Sequence, residues 1–194
     1  GIDLFRLLIS YSSSLGTDAD YNSMVSALGE NFSDGFLAWG KAVAGAGWGT
    51  FDLTHYDPDI QKATVVIHDP WELRMQKDLP EEKRWGCPFL QGKIIGIFSH
   101  AFKTPCWAED ECRYDSDNSN VTFQIYSSST TIQEELKKLR KNRMQSSERI
   151  LAEEVEQKTT ELQQTQKKLE DYSKTLEKQV AERTAELETL LKKL

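Results

Sequence analysis

The stretch from residue 131 to residue 194 contains neither glycine nor proline, and Glu, Lys, Gln and Leu dominate it. Because Gly and Pro are the residues that most often interrupt helices, this composition predicts one long helix. Two sets of positions in it repeat every seven residues, the second set four residues after the first, and we call them the seam. The first set contains Val155, Leu162, Leu169, Leu176 and Leu190, and the second ends with Val180, Leu187 and Leu194. A parallel two-stranded coiled coil, a homodimer through residues 131–194, is the simplest structure that buries such a seam.

Polar residues interrupt the seam. Thr159, Gln166 and Ser173 open the second set, and Arg183 falls within the first. Polar layers weaken a coiled coil but fix its register and its number of strands.

The apolar pattern also changes phase inside this helix. An earlier frame consists of Ile132, Leu136, Leu139 and Ile150. It joins the later frame only through a slip between Ser146 and Leu151, and such a slip alters the winding of a supercoil locally. The pattern is compatible with a plain dimerisation stalk and also with a helix that passes a signal by changing register.

Residues 1–130 contain all the Trp, Phe and Cys residues, so a packed core can form there, and their length suits one globular domain. They carry 10 Lys and Arg against 18 Asp and Glu. This excess of acids argues against nucleic-acid binding, which needs a basic face.

No apolar run of about 18 residues and no secretion signal is present, so we expect no membrane span. Three cysteines without a CxxC pair favour a reduced, cytoplasmic chain.

The order of the periodic segments predicts an α+β fold. Helical spacing occurs in residues 2–14, 17–28, 33–44 and 88–102, and period-two alternation occurs in residues 48–68 and 106–126. We therefore expect helices to cover an antiparallel sheet made of two hairpins. The three parts of the chain are then an N-terminal helix (1–16), a globular domain (17–130) and the coiled coil (131–194).

The segment from Pro88 to Phe102 is apolar nearly all round, which indicates a buried helix. Gly92 and Gly96 lie one turn apart on it and leave a groove where another backbone or a ligand can come close. The aromatic residues that could wall a pocket there are Trp48, Phe51, Trp71, Phe89, Phe98 and Trp107, although each taken alone is more commonly a core residue. His100 is a candidate to hydrogen-bond a ligand or to bind a haem iron, but a structural histidine is commoner.

The segment Lys178–Leu187, preceded by Leu169–Leu176, resembles the signalling helices that join sensor domains to histidine kinase, PAS or cyclase modules in bacterial receptors. The resemblance covers about a third of the chain. It implies that an output domain follows. Because Leu191–Leu194 carries no helix stop signal, we expect the sequence to be truncated before that domain.

The globular part resembles a 4-vinyl-reductase-type domain over roughly residues 20 to 126. The matching segments are Gly86–Ser99, Glu109–Cys112, Gly47–Leu53 and Asp69–Glu72. The resemblance implies a dimeric small-molecule sensor whose pocket lies between the sheet and the helices.

The same resemblance implies a metal site. In aromatic-sensing members a zinc ion is held by a Cys at the start of the buried helix, by an E-x-x-C pair and by one further Cys. Cys87, Glu109 and Cys112 match the first three ligands, whereas Asn120 or Val121 occupies the fourth position. Zinc is therefore one candidate cofactor and haem a weaker one. The alternative is that Cys87 and Cys112 are small buried core residues.

These observations predict the ligand-sensing input module of a bacterial signal-transduction protein. It would bind a small apolar or aromatic molecule and relay its state through the coiled coil to an output domain such as a histidine kinase. One alternative is a haem-linked gas or redox sensor. Another is an enzyme that acts on a vinyl-bearing tetrapyrrole, but no catalytic triad or HExxH pattern supports it.

Overall fold

The four strands of this chain form one antiparallel sheet in the order β1-β2-β4-β3. The computed structural model describes residues 1–115 and 118–191. The strands are β1 (Thr50–Asp57), β2 (Lys62–His68), β3 (Cys106–Arg113) and β4 (Asn120–Ser127). The two hairpins meet through β2 and β4, where Val65 lies opposite Phe123. The prediction of an α+β fold with a long C-terminal helix is confirmed.

Seven α-helices accompany the sheet in the described part of the chain. They are α1 (Ile2–Ser14), α2 (Thr17–Asp20), α3 (Ser26–Leu28), α4 (Phe32–Ala44), α5 (Trp71–Gln76), α6 (Pro88–Phe102) and α7 (Ile132–Leu191). A π-helical turn, Tyr21–Val25, joins α2 to α3, and a 3-10 turn, Glu81–Lys83, lies between α5 and α6.

The core lies around α6, which contacts β3 and β4 on one side and α1 on another. Leu90, Ile94 and Ile97 are fully buried, as the apolar pattern predicts. The inner face of the sheet supplies Val65, Ile67, Val121, Phe123 and Ile125. The helix α4 packs on β1 beside them.

The chain divides into two compact units, Gly1–Arg140 and a second unit that begins at Lys141. We call the first unit the head. It includes α1, the sheet and the first residues of α7. A capping box starts α7, because the Thr131 hydroxyl accepts from the Glu134 N–H and the Glu134 carboxylate accepts from the Thr131 N–H.

The head explains the phase change in the apolar pattern of α7. Ile132 is buried in the core, and Leu136 and Leu139 are half-buried. The first three residues of the early frame therefore face the head itself, whereas Ile150 is exposed. From Lys141 onward this constraint ends, so the later frame is free to follow a different face.

Candidate functional site

The seam of α7 is a row of exposed apolar side chains. Exposure reaches 42 to 69 % for Val155, Leu162, Leu169, Leu176 and Val180. They recur on one face of a helix that no other described residue covers, since every described side chain between residues 141 and 180 is exposed. The side chains of Leu187 and Leu190, and all of Leu194, lie outside the described residues. Such a row is typical of helices that pair with another helix.

The polar residues of the seam are already satisfied within their own helix. The Thr159 hydroxyl donates to the Val155 carbonyl oxygen at 2.7 Å, and the Gln166 amide donates to the Glu170 carboxylate at 3.1 Å. Because of these bonds, fewer polar groups would lack a hydrogen-bond partner if another helix covered this face. The polar layers are therefore compatible with burial.

A second feature is a polar clamp that α5 supplies to the start of α6, built from Glu72 and Gln76. Cys87 occupies the N-cap position of α6 but makes no side-chain capping bond. The Glu72 carboxylate accepts instead from the N–H groups of Phe89 at 2.9 Å and Leu90 at 3.0 Å. A carboxylate from another helix thus does the work of the missing cap.

Sequence reasoning missed this role of Glu72. The sequence does contain an indication of it. No Ser, Thr, Asp or Asn stands just before the helix that begins Cys87-Pro88, so its first N–H groups need an acceptor from elsewhere in the chain. Burial raises the pKa of Glu72 to about 7, although its bonds from Leu90 and Phe89 oppose the shift. The clamp therefore titrates near neutral pH.

Stability should depend on pH through Glu72. The native pKa of about 7 lies above the ordinary 4.5, so the folded chain binds more protons than the unfolded chain between these values. The contribution of Glu72 is thus fully present below its unfolded pKa and is lost as the pH rises through 7. The shift corresponds to about 3 kcal/mol. Chemical denaturation between about pH 5 and pH 7.5 should show that the free energy of unfolding depends less on pH in Glu72→Gln than in the unsubstituted chain. Parallel profiles would contradict the assignment.

The two thiols of the predicted metal set are neighbours, but they do not form a zinc site. Cys87 is fully buried, and the Cys112 thiol lies 3.6 Å from the Asp110 carboxylate. Burial raises the pKa of Cys87 well above its ordinary value, and the adjacent Cys112 raises it further. Two thiols alone do not complete the four-ligand shell of a structural zinc ion.

Glu109 does not join the two thiols. Successive side chains of a strand point to opposite faces, so residues three apart, such as Glu109 and Cys112, diverge. The Glu109 carboxylate accepts from the Tyr126 hydroxyl at 2.8 Å, where both are exposed. No group of three or more His, Cys, Asp or Glu side chains in the described residues is arranged to hold a metal. The residues therefore do not fit the zinc set that the resemblance implied.

The structure brings together five of the aromatic residues predicted to line a pocket. Trp48 lies 4.7 Å from Phe89, and Trp71 lies 5.9 Å from Phe89, centroid to centroid. Phe51 and Phe98 join the cluster through rings of α4. Among the described residues, the buried indole N–H of Trp39 in this cluster has no hydrogen-bond partner. The rings pack on each other as a core does, and a ligand-binding role for them stays a prediction.

Four other predicted ligand-binding residues lie apart from this cluster. Gly92 and Gly96 face away from it, because a side chain on either would meet Ser10 of α1 or Thr17 of α2. His100 is exposed and stacks on Tyr21 at 5.4 Å. Trp107 lies on the face of β3 opposite the buried Cys106 and Ala108. Ser10, Ser13 and Thr17 occupy the positions that side chains at the two glycines would take. Gly96 also lines a cavity of about 300 Å³ together with Tyr11 and Ile132.

No protein-family model matches the chain, and no curated protein matches it. A solved structure with a similar arrangement is the crystal structure of a trafficking protein particle complex subunit 3 from Naegleria fowleri, covalently bound to palmitic acid. It is 14% identical, the match covers 66% of this chain and 85% of that chain, and the TM-score is 0.44. A likeness this distant transfers no activity to this chain.

The prediction of a ligand-sensing input module of a two-component system is withdrawn: the similar structure is described as a subunit of a trafficking complex and not as a bacterial sensor. The haem-sensing and tetrapyrrole-enzyme alternatives, which no comparison tests, stay predictions. The resemblance to 4-vinyl-reductase domains stays a prediction.

No helix in the described residues is long and apolar enough to cross a bilayer.

Proposed function

We propose that this chain is a dimerising assembly module. The seam of α7 pairs in parallel with the seam of a second copy, and the pairing joins two heads. The observation that carries the proposal is the exposure of five apolar seam residues on one helix. Burying a Val or Leu side chain contributes about 1.5–3 kcal/mol, and in a pair of helices ten such side chains leave water.

The residues that flank the seam favour a second copy in parallel orientation. On one flank lie Glu156, Gln163, Glu170 and Glu177, and on the other lie Lys158, Thr165, Tyr172 and Gln179. In an antiparallel pair, like flanks face each other, which would set glutamates against glutamates. In a parallel pair each acidic flank faces the flank without acids. Charge therefore supports the parallel arrangement.

Light scattering of the full chain should give twice the 22.2 kDa of one chain. The double variant Leu162→Lys/Leu169→Lys should be a monomer, because it places two charges per helix in the core of the pair. The control is Gln157→Lys/Gln164→Lys, which adds the same charge at exposed positions away from the seam and should stay dimeric.

Two results would count against the proposal. One is a monomeric native chain at concentrations up to about 100 μM, where a specific coiled coil of this length should be paired. The other is equal dimerisation of the seam variant and its control. Orientation has its own readout, because Thr159→Cys should form a disulfide with its equivalent in a parallel pair, whereas antiparallel helices hold the two positions apart.

A further inference from the structure

Cys87 and Cys112 approach each other inside the head, where the first turn of α6 meets the end of β3. The two thiol groups interact directly, side chain to side chain. Gly86, the residue before Cys87, is also close, because a methyl group added to it would lie 3.5 Å from the Cys112 sulfur. One turn further along α6 the Gln91 amide donates to the Ala108 carbonyl oxygen at 2.8 Å. Backbone and side-chain contacts therefore hold the start of α6 on this strand.

The surroundings of Cys87 are not those of an apolar core cysteine. Its side chain is fully buried at the N-cap position of α6, where it makes no capping bond. Carboxyl groups lie near it, since Glu72 and Asp110 both act on its thiol in addition to Cys112. Apolar packing alone therefore does not account for a thiol at this position.

The two cysteines differ in their access to solvent. Cys112 is partly exposed, and its thiol donates to the Asp110 carboxylate. Cys87 has no exposed surface, and burial raises the pKa of its thiol. Because the thiolate is the form that attacks, an oxidant in solution reacts with Cys112 first. An accessible thiol with a second thiol beside it is the usual arrangement of a reacting and a resolving cysteine.

We propose that Cys87 and Cys112 are a reversible redox pair, which a small disulfide such as oxidised glutathione converts into a covalent bond between α6 and β3. First, the Cys112 sulfur attacks one sulfur of the oxidant, whose S–S bond breaks and releases one glutathione. The Cys87 sulfur then attacks the Cys112 sulfur, and the bond from Cys112 to the remaining glutathionyl group breaks. The two thiol protons end on the two glutathione molecules, so two cysteines are oxidised and one disulfide is reduced.

The bond constrains the start of α6. In the reduced chain the Glu72 carboxylate holds this end of the helix through the N–H groups of Phe89 and Leu90. A covalent link to β3 persists when those hydrogen bonds open, so the first turn stays on the sheet. Oxidation should therefore slow hydrogen exchange at these two N–H groups at least about tenfold. Both cysteines belong to the head, so the effect does not depend on the pairing of α7.

Oxidised glutathione added to the full native chain tests the pair. Mass spectrometry should show a single chain that has lost two hydrogen atoms and carries no glutathione. Cleavage after Glu109 and Glu111, together with trypsin, separates Cys106 from Cys112, and the linked fragments should contain Cys87 and Cys112. Cys106 is the internal control, because it lies at the other end of β3, about 20 Å away along the strand, and should stay a free thiol.

Two single variants distinguish this chemistry from a packing role. Cys87→Ser should accumulate one glutathionyl group on Cys112, because the second step is then missing. Cys112→Ser should react with oxidised glutathione at least about tenfold more slowly than Cys87→Ser, because the thiols that remain are buried. If either variant fails to fold, the fragment map of the native chain decides by itself.

Several results would overturn the redox pair. One is a native chain that gains glutathionyl groups without linking Cys87 to Cys112, and another is a covalent dimer joined through Cys112. Thiols that react only in urea would also exclude it, because the pair would then be inaccessible in the folded head. A bond that forms but leaves the exchange at Phe89 and Leu90 unchanged would overturn the constraint on α6.

Discussion

Gly92→Ala is expected to lower the free energy of unfolding by about 3 kcal/mol, because the added methyl group would overlap the Ser10 carbonyl oxygen and the Ser13 hydroxyl. The carbonyl oxygen belongs to the backbone of α1, so it can move only if the whole helix moves. Alanine is intrinsically better than glycine in a helix by about 1 kcal/mol. A net loss of stability would therefore come from the steric effect and would understate it by about that amount. Urea unfolding followed by circular dichroism measures it.

The matched control is Gly45→Ala, at the end of α4. Its φ is −61°, and the nearest atom to an added methyl group is the Ala42 carbonyl oxygen at 3.7 Å, an ordinary contact. We expect a change within about 0.5 kcal/mol. Equal stability of the two variants would show that α1 does not approach α6 closely at Gly92.

The glycine pair also shows how far sequence reasoning reaches. Spacing on an apolar helix predicts a groove at Gly92 and Gly96, and the groove exists. The same spacing does not say whether a ligand or a backbone fills it, because both need the missing side chains. The answer depends on Ser10 and Thr17, which are distant in sequence. Tertiary contacts of this kind leave no periodic signal.

Glu109 does not join the two thiols of the predicted metal set, for a reason that the sequence itself contains. Period-two alternation predicts a strand across Glu109 and Cys112, and a strand sends residues three apart to opposite faces. The resemblance rests on residue types and their spacing alone. The strand that the alternation predicts puts the Glu109 and Cys112 side chains on opposite faces of the sheet. Asp110, on the Cys112 side, is the acid that the strand brings near the thiol.

The phase change in the apolar pattern of α7 is compatible with a plain stalk or with a helix that changes register. For the first residues of α7, contact with the head explains the pattern. Ile132 and Leu136 pack against the core, so their frame describes contact with the head. A helix pattern reports which face is buried but does not identify the surface that buries it. Only the frame from Val155 onward remains as evidence for pairing.

Gln76→Leu is expected to be among the most destabilising single changes, by about 3–5 kcal/mol, because it leaves several buried backbone groups without partners. Gln76 is fully buried. Its amide nitrogen donates to the carbonyl oxygens of Glu72 at 2.8 Å and Gly86 at 2.7 Å. Its carbonyl oxygen accepts from the N–H groups of Trp85 and Gly86. Leucine fills a similar volume, so the loss would come from unpaired polar groups rather than from a cavity.

The control for Gln76→Leu is Gln124→Leu, on the exposed face of β4. Gln124 accepts one side-chain bond, from the Thr64 hydroxyl at 2.9 Å, and water can replace it. We expect a change within about 0.5 kcal/mol for this variant in the same urea titration. If both variants unfolded at the same urea concentration, the connection from α5 to α6 would have to draw its hydrogen bonds from elsewhere. The clamp of Glu72 and Gln76 would then not be what fixes the start of the central helix.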